Sequence, residues 1–382
     1  MLNKIKRIDW VIVGILICFA VFSPLVIHSA THGDPNFQGL AFKTVILYGI
    51  GIVVMFAVSI FDYRLLLKSW PITMGITILL LIGLFFAGST LNNASGWYQL
   101  GMLSFQPAEL AKITLILALA QLLGRRGGDP LSFTRDLLPI IGVTLVPFAL
   151  VVVQPDLGNA VIYIVILIGM LWIGGVKYRH VLIAAVLAVV MLVGIFFAFK
   201  DFNDTTRYFF KEVLKHEQWF IRIDTLINPQ DATKDAKHQS EYAMIAIGSG
   251  GLTGDGYMQG ELKRRSFVPY TYSDAIFVVI GEEFGFQGAS ILLLLYFLLV
   301  YRMILIAFQC YDLRGSYMII GIVSMFVFQI FENIGMMIGI MPVTGITLPF
   351  ISYGGTSLVL NLACIGMVMS IRIYQEKYQL DT

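Results

Sequence analysis

An all-α polytopic membrane protein of about ten transmembrane helices is the fold class this sequence predicts, and three observations predict it. Hydrophobic residues fill 58% of the 382 positions and charged residues only 13%, about half the ~25% typical of a soluble domain. Mean hydropathy is +0.81. The few charges are bunched, leaving long uncharged runs between them. Soluble globular enzymes, disordered regulators and nucleic-acid binders are excluded. A balance of 26 basic against 24 acidic residues points to no polyanionic partner. Cys18, Cys310 and Cys364 all lie in apolar stretches, which argues against a disulfide framework.

A hydrocarbon core about 30 Å thick takes roughly 20 apolar helical residues to cross. Runs without Asp, Glu, Lys or Arg cover 10–33, 44–61, 69–108, 113–124, 137–155, 157–176, 180–199, 284–301, 315–331 and 333–371. Two of them, 69–108 and 333–371, exceed one span, and in each a cluster of Gly, Pro, Ser and Asn reads as a loop. The run 113–124 is too short alone and borrows the turn containing Glu109 and Lys112. Ten helices follow, near 10–28, 43–61, 70–89, 107–124, 137–154, 158–176, 181–199, 286–307, 316–338 and 356–372. Nothing shows the alternation of a transmembrane β-barrel.

An even number of spans puts both termini on one side. The intervals on that side hold fourteen cations, from Lys4 to Lys377, whereas the short intervals opposite hold only Lys43. By the positive-inside rule both termini are expected in the cytoplasm. Residues 1–9 and the uncharged run after them read as a retained first span rather than a cleaved signal. The chain reads as one integral membrane domain, 1–382. Residues 200–283 differ in kind, carrying 10 of the 26 basic and 13 of the 24 acidic residues. This segment is expected as a long extracytoplasmic loop, with an amphipathic helix over 206–227 and a glycine-rich segment after it.

An ionisable residue inside a span is a functional hypothesis by default. Glu109 and Lys112, in PAELAK, share one helix face at i,i+3, after Pro107 in the first turn. They read as a site pair in preference to a structural one. Asp156, in QPDLGNA, sits at a sharp turn where a helix cap is the favoured reading. The run AIGSGGLTGDGYMQG (246–260) has six glycines, and could bring backbone N–H groups around an anion or form a re-entrant loop. Lys263, Arg264 and Arg265 follow, then Asp274 at the start of an apolar stretch. Glu282 and Glu283 interrupt that stretch, and at most one of them is expected to face a cavity. MPVTGITLPFISYGGTS (341–357) holds two prolines and three glycines. It cannot be one straight helix and must be irregular backbone buried in protein or lining a polar cavity.

These motifs resemble the SEDS family, the RodA, FtsW and SpoVE proteins of bacterial elongation, division and sporulation. PVTGITLPFISYGGTS carries the likeness most specifically. QPAELAK (106–112), QPDLG (154–158), AIGSGGLTGDG (246–256) and SDAIFVVIGEEFG (273–285) fall in the family's order, over about residues 10–372. The sequence departs at Gly96-Trp97, where the family has Arg-Trp, at Tyr242-Ala243, where it has Gln-Ser, and around Asp274, flanked here by Tyr272, Ser273 and Ala275.

The resemblance implies a peptidoglycan glycosyltransferase that polymerises lipid II at the outer face of the bacterial cytoplasmic membrane. Asp274 is then the catalytic base. Lys112 and one of Lys263, Arg264 and Arg265 lie near the diphosphate, and Glu109 orients Lys112 or helps hold a metal. Gly250, Gly251, Ser352 and Ser357 complete the substrate-binding candidates. A divalent cation, Mg or Mn, is a candidate cofactor of unknown site, and a class B penicillin-binding protein is the expected membrane partner. The alternatives are a flippase for lipid-linked precursors and a non-catalytic scaffold for a transpeptidase.

Overall fold

The computed structural model describes residues 7–34, 37–91, 94–100, 103–213, 217–228, 234–260 and 271–375. Helices dominate: α1 (Trp10–Thr31), α2 (Leu40–Ile60), the short α3 (Tyr63–Lys68), α4 (Trp70–Ala87), α5 (Pro107–Gly124), α6 (Leu138–Val153), α7 (Leu157–Ile173), α8 (Tyr178–Asp201), α9 (Asn203–Tyr208), α10 (Glu217–Ile227), α11 (Lys234–Ser249), α12 (Ile276–Gln309), α13 (Leu313–Met337) and α14 (Gly355–Gln375). A π-helical turn, Phe133–Leu137, leads into α6. Among the described residues eight helices are long and apolar enough to span a bilayer, and α4 and α7 are shorter apolar helices. Together they match the ten predicted positions. The protein is a multi-pass membrane protein.

The part of 69–108 expected as loop carries a small antiparallel sheet: β1 (Ser89–Leu91), β2 (Ala94–Leu100) and β3 (Leu103–Phe105). Tyr98 pairs with Phe105 and Ser89 with Trp97 across it. Its backbone groups bond to one another instead of to water. The Tyr98 hydroxyl donates to the Leu80 carbonyl at 2.8 Å and ties the sheet to α4.

Charge pairs fasten the helix ends remote from the sheet. Asp9 caps α1, accepting from the Val11 and Ile12 amides at 3.1 and 3.3 Å. Its carboxylate also meets Arg302 of α12 at 2.6 Å and Arg372 of α14. Asp312 caps α13 while pairing with Arg64 and Arg314. The interior is packed through small residues. A Cβ on Gly51 of α2 would lie 2.3 Å from Leu362 of α14, and one on Gly366 2.5 Å from the Met55 carbonyl. Helix α5 is buried along most of its length, whereas α8 buries only Phe199.

At the foot of α8, Phe199 stacks on Phe220 of α10, ring centroids 5.2 Å apart. The buried Asp224 accepts from Asn203 and Asn228 at 2.7 Å each. The apolar face of α10 is thus turned onto α8.

Residues 338–354 form no helix between α13 and α14, with positive φ at Gly339, Gly345 and Phe350. Three consecutive carbonyls of this buried segment each receive a hydroxyl from a different helix. Tyr296 of α12 donates to Pro349, Tyr48 of α2 to Phe350, and Ser23 of α1 to Ile351 at 2.7 Å. Irregular backbone at membrane depth requires such donors.

Candidate active site

Asp274 lies in the turn 271–275 that opens α12, and it is partly exposed. The turn is held from two sides. Thr271 donates to the Ala30 carbonyl at the end of α1 at 3.5 Å, and the Tyr353 amide donates to the Tyr272 carbonyl at 3.0 Å. The Tyr272 ring packs on Phe37 at 4.5 Å.

Asn333 of α13 fixes Asp274 itself. Its Nδ2 donates to the Asp274 carbonyl and to the Ile346 carbonyl, both at 2.7 Å, and the side chain is fully buried. The irregular segment is thereby drawn alongside the turn. Gly345 takes a positive φ of 84°, which suits glycine, and its α-carbon faces the Asp274 carboxylate, where a Cβ would stand 3.7 Å from Oδ2.

A second polar group is built at the start of α5. Gln106, Glu109 and Lys112 are buried, and Lys112 Nζ meets Glu109 Oε1 at 2.8 Å. Gln106 donates to Asp156 at 2.8 Å. Asp156 caps α7 through the Asn159 amide at 3.1 Å and accepts from the Asn159 side chain at 2.8 Å. Glu332 of α13 completes the group. Thr344 donates to its Oε1 at 2.9 Å, and Lys112 and Asp156 are the charges that act on its carboxylate. Gly158 lets this happen: a Cβ there would lie 3.2 Å from Thr344 and 2.5 Å from Ile346. The irregular segment therefore seats directly on the beginning of α7.

The glycine-rich segment has a packing role that its composition left open. Helix α12 breaks at Gly285, with φ 60° and ψ −160°, and 250–256 fills the break. The Asp255 and Gly256 amides donate to the Glu282 and Glu283 carbonyls at 3.0 Å, while the Phe286 and Gln287 amides donate to Gly251 and Leu252. A Cβ on Gly250 would lie 2.0 Å from the Gly281 carbonyl oxygen. Helix backbone occupies that face of Gly250, where a bound anion was one expectation, and the Gly251 carbonyl serves as an acceptor within the same contact.

Both Glu282 and Glu283 are buried. Glu283 accepts from Ser29 of α1 at 2.6 Å, and Glu282 lies against Gly260. The break in α12 gives the two side chains different neighbours. Ser352 is buried and accepts from the Leu348 amide at 2.8 Å, and Ser357 donates to the Gly354 carbonyl. Both shape the irregular segment. Lys263, Arg264 and Arg265 lie outside the described residues.

Among the described residues no three of His, Cys, Asp and Glu are disposed to hold a metal ion. Glu109 is committed to Lys112. The described residues therefore offer no cluster that fits a protein-held divalent cation, and no step below is routed through one.

Sequence reasoning missed Glu332, Asn333, Gln106, Asn159 and Thr344. For Glu332 the signal was present: it is the carboxylate that separates the uncharged runs 315–331 and 333–371. It met the test applied to Glu109.

The fold and site define a polytopic membrane protein with a buried polar group beside a partly exposed aspartate at one end of its helix bundle. Residues 5–377 match the family model described as "Cell cycle protein", FtsW/RodA/SpoVE. The chain belongs to this family. It is 31% identical to stage V sporulation protein E of Bacillus subtilis, over 98% of this chain and 99% of that one. It is 32% identical to the peptidoglycan glycosyltransferase MrdB of Escherichia coli, over 97% and 95%. Among solved structures, a chain of a peptidoglycan synthase complex superimposes with TM-score 0.78 at 28% identity, covering 97% of this chain and 99% of that one. The rod shape determining protein RodA of Thermus thermophilus superimposes at 0.68, also at 28% identity, over 97% and 98%.

Proposed function

We propose that this protein is a peptidoglycan glycosyltransferase that joins lipid II units into glycan strands, with Asp274 as general base. The observation that carries the assignment is the placing of Asp274: a partly exposed residue, on a turn clamped by Asn333, next to a buried group of charged side chains. In this reaction Asp274 takes the proton from the acceptor sugar hydroxyl, whose oxygen attacks the anomeric carbon of the donor sugar. The bond from that carbon to the diphosphate breaks, and the lipid diphosphate leaves. One of Lys263, Arg264 and Arg265 supplies positive charge to the departing diphosphate. Lys112, paired with Glu109, belongs to the buried polar group beside Asp274. The lipid tail stays in the bilayer throughout.

The same reading places both termini in the cytoplasm, on the cation-rich side, and the site at the outer face. Two features support a class B penicillin-binding protein as membrane partner: the family's role and the likeness to a chain of a peptidoglycan synthase complex.

The test is Asp274→Asn, purified and incubated with labelled lipid II. Loss of polymer with unchanged melting is expected. Glycan chains of wild-type length and yield would remove Asp274 from the mechanism. Translocation of lipid II in vesicles without polymer would make the protein a flippase, and neither activity, even with a penicillin-binding protein present, would make it a scaffold.

A further inference from the structure

Glu332 has no part in the scheme above, yet its carboxylate is only 1% exposed in the middle of a polar group. Thr344 satisfies one of its oxygens; Oε2 is buried with no donor. Asn159, 2% exposed and bonded to Asp156 through its nitrogen, likewise has a buried Oδ1 without a donor. A buried acceptor without a donor is costly, and both residues belong to the group around Asp156, which Asn159 bonds through its nitrogen and whose charge acts on Glu332. Formal charge completes the description. Glu109 and Asp156 bring two carboxylates to a group that holds the single ammonium of Lys112, so this wall is net negative before Glu332 is counted.

Such a wall repels a diphosphate and accepts a neutral group rich in O–H and N–H donors. Consecutive helix positions are turned about 100° apart, so Glu332 and Asn333 face adjoining sectors of the site. Asn333 reaches Asp274 and Ile346, while Glu332 reaches Thr344, two residues from Ile346.

We propose that Glu332 is a substrate-binding residue for the sugar portion. Its Oε2, together with Asn159 Oδ1, accepts hydrogen bonds from hydroxyl and acylamino N–H groups of a hexosamine next to Asp274. The inference rests on the glycosyltransferase reading. It separates the two halves of the substrate: the sugar lies against the Lys112–Glu332 wall and the diphosphate lies elsewhere.

The experiment measures binding without turnover. In the Asp274→Asn protein, the dissociation constants of lipid II and of undecaprenyl diphosphate, which lacks the sugars, are compared with and without Glu332→Leu and Glu332→Gln. Leucine removes both acceptor oxygens. In the glutamine variant an amide oxygen kept toward Thr344 leaves an NH2 group where Oε2 stood, a donor facing donors.

Both variants are expected to weaken lipid II binding about 10- to 100-fold, the range for leaving a buried hydrogen-bonding group without its partner. Undecaprenyl diphosphate binding stays within about twofold, and the glutamine variant melts close to its parent. Unchanged lipid II affinity in both variants overturns the proposal. So does an equal loss for the two lipids, which would assign Glu332 to the structure around Lys112. If the wild-type protein makes no polymer but Glu332 still discriminates the sugar-bearing lipid, the glycosyltransferase reading fails and the sugar subsite stands.

Discussion

Replacing Asn333 by leucine asks how far the geometry of Asp274 depends on a residue 59 positions away. Leucine keeps the branching of asparagine and is larger, so the change removes the donors and opens no space. Asn333 Nδ2 serves two carbonyls, those of Asp274 and Ile346, at 2.7 Å each, from a side chain with no exposed surface. A buried acceptor that loses its donor costs about 1–3 kcal/mol. Two of them give a loss of about 2–6 kcal/mol by the same rule, felt where the α12 turn meets the irregular segment.

The chemistry should suffer separately. With the turn and residues 344–346 no longer tied together, the carboxylate drifts from the acceptor hydroxyl, and a displacement of about 1 Å can cost about 100-fold in rate. Lipid II polymerisation by the purified variant, followed beside its thermal unfolding in the same detergent, reads both effects. A lowered melting temperature and a turnover reduced by one to two orders of magnitude are expected. Wild-type turnover and unchanged melting would refute the claim that Asn333 positions the base.

Three further outcomes follow from the same structure. Lys112→Met strands the buried Glu109 carboxylate and should destabilise the protein by about 3–5 kcal/mol; adding Glu109→Gln should restore melting, as read by calorimetry, without restoring polymer. Gly250→Ala places a methyl 2.0 Å from the Gly281 carbonyl oxygen and should pry the loop from the α12 break, seen as faster amide exchange at residues 251–256 and 286–287. Gly248→Ala, where nothing lies within 4 Å, is its control: it should leave that exchange unchanged and favour α11 by up to about 1 kcal/mol.

The ten helix positions were legible in the chain because the bilayer leaves little choice. Every backbone group at that depth needs a partner, and only a long apolar helix provides them all locally. Asp274, Glu109 and Lys112 stood out for the related reason that charge in such a chain is rare. The strands at 89–105 did not stand out, because their alternation is short and lies within a longer apolar run. The irregular stretch 341–357 was recognisable from its prolines and glycines, but nothing in those residues named Ser23, Tyr48 and Tyr296 as the donors to its carbonyls. Those hydroxyls come from three different helices.

The glycine-rich segment divides the two kinds of information most cleanly. Its composition announced a close approach to something, and both a ligand and a neighbouring chain segment satisfied that requirement. The fold supplied the neighbour, the broken backbone of α12 between Glu282 and Gln287. Glu332 and Asn333 divide it again. A carboxylate in a span is visible in any one-dimensional scan, but its pairing with Thr344, and the reach of Asn333 to Asp274, require α13 to pack beside both α7 and the α12 turn. Hydropathy is a property of each residue in turn and survives in the linear chain. Hydrogen-bond partners and the sign of a local field belong to pairs and groups, and they exist only once packing has chosen which distant residues meet.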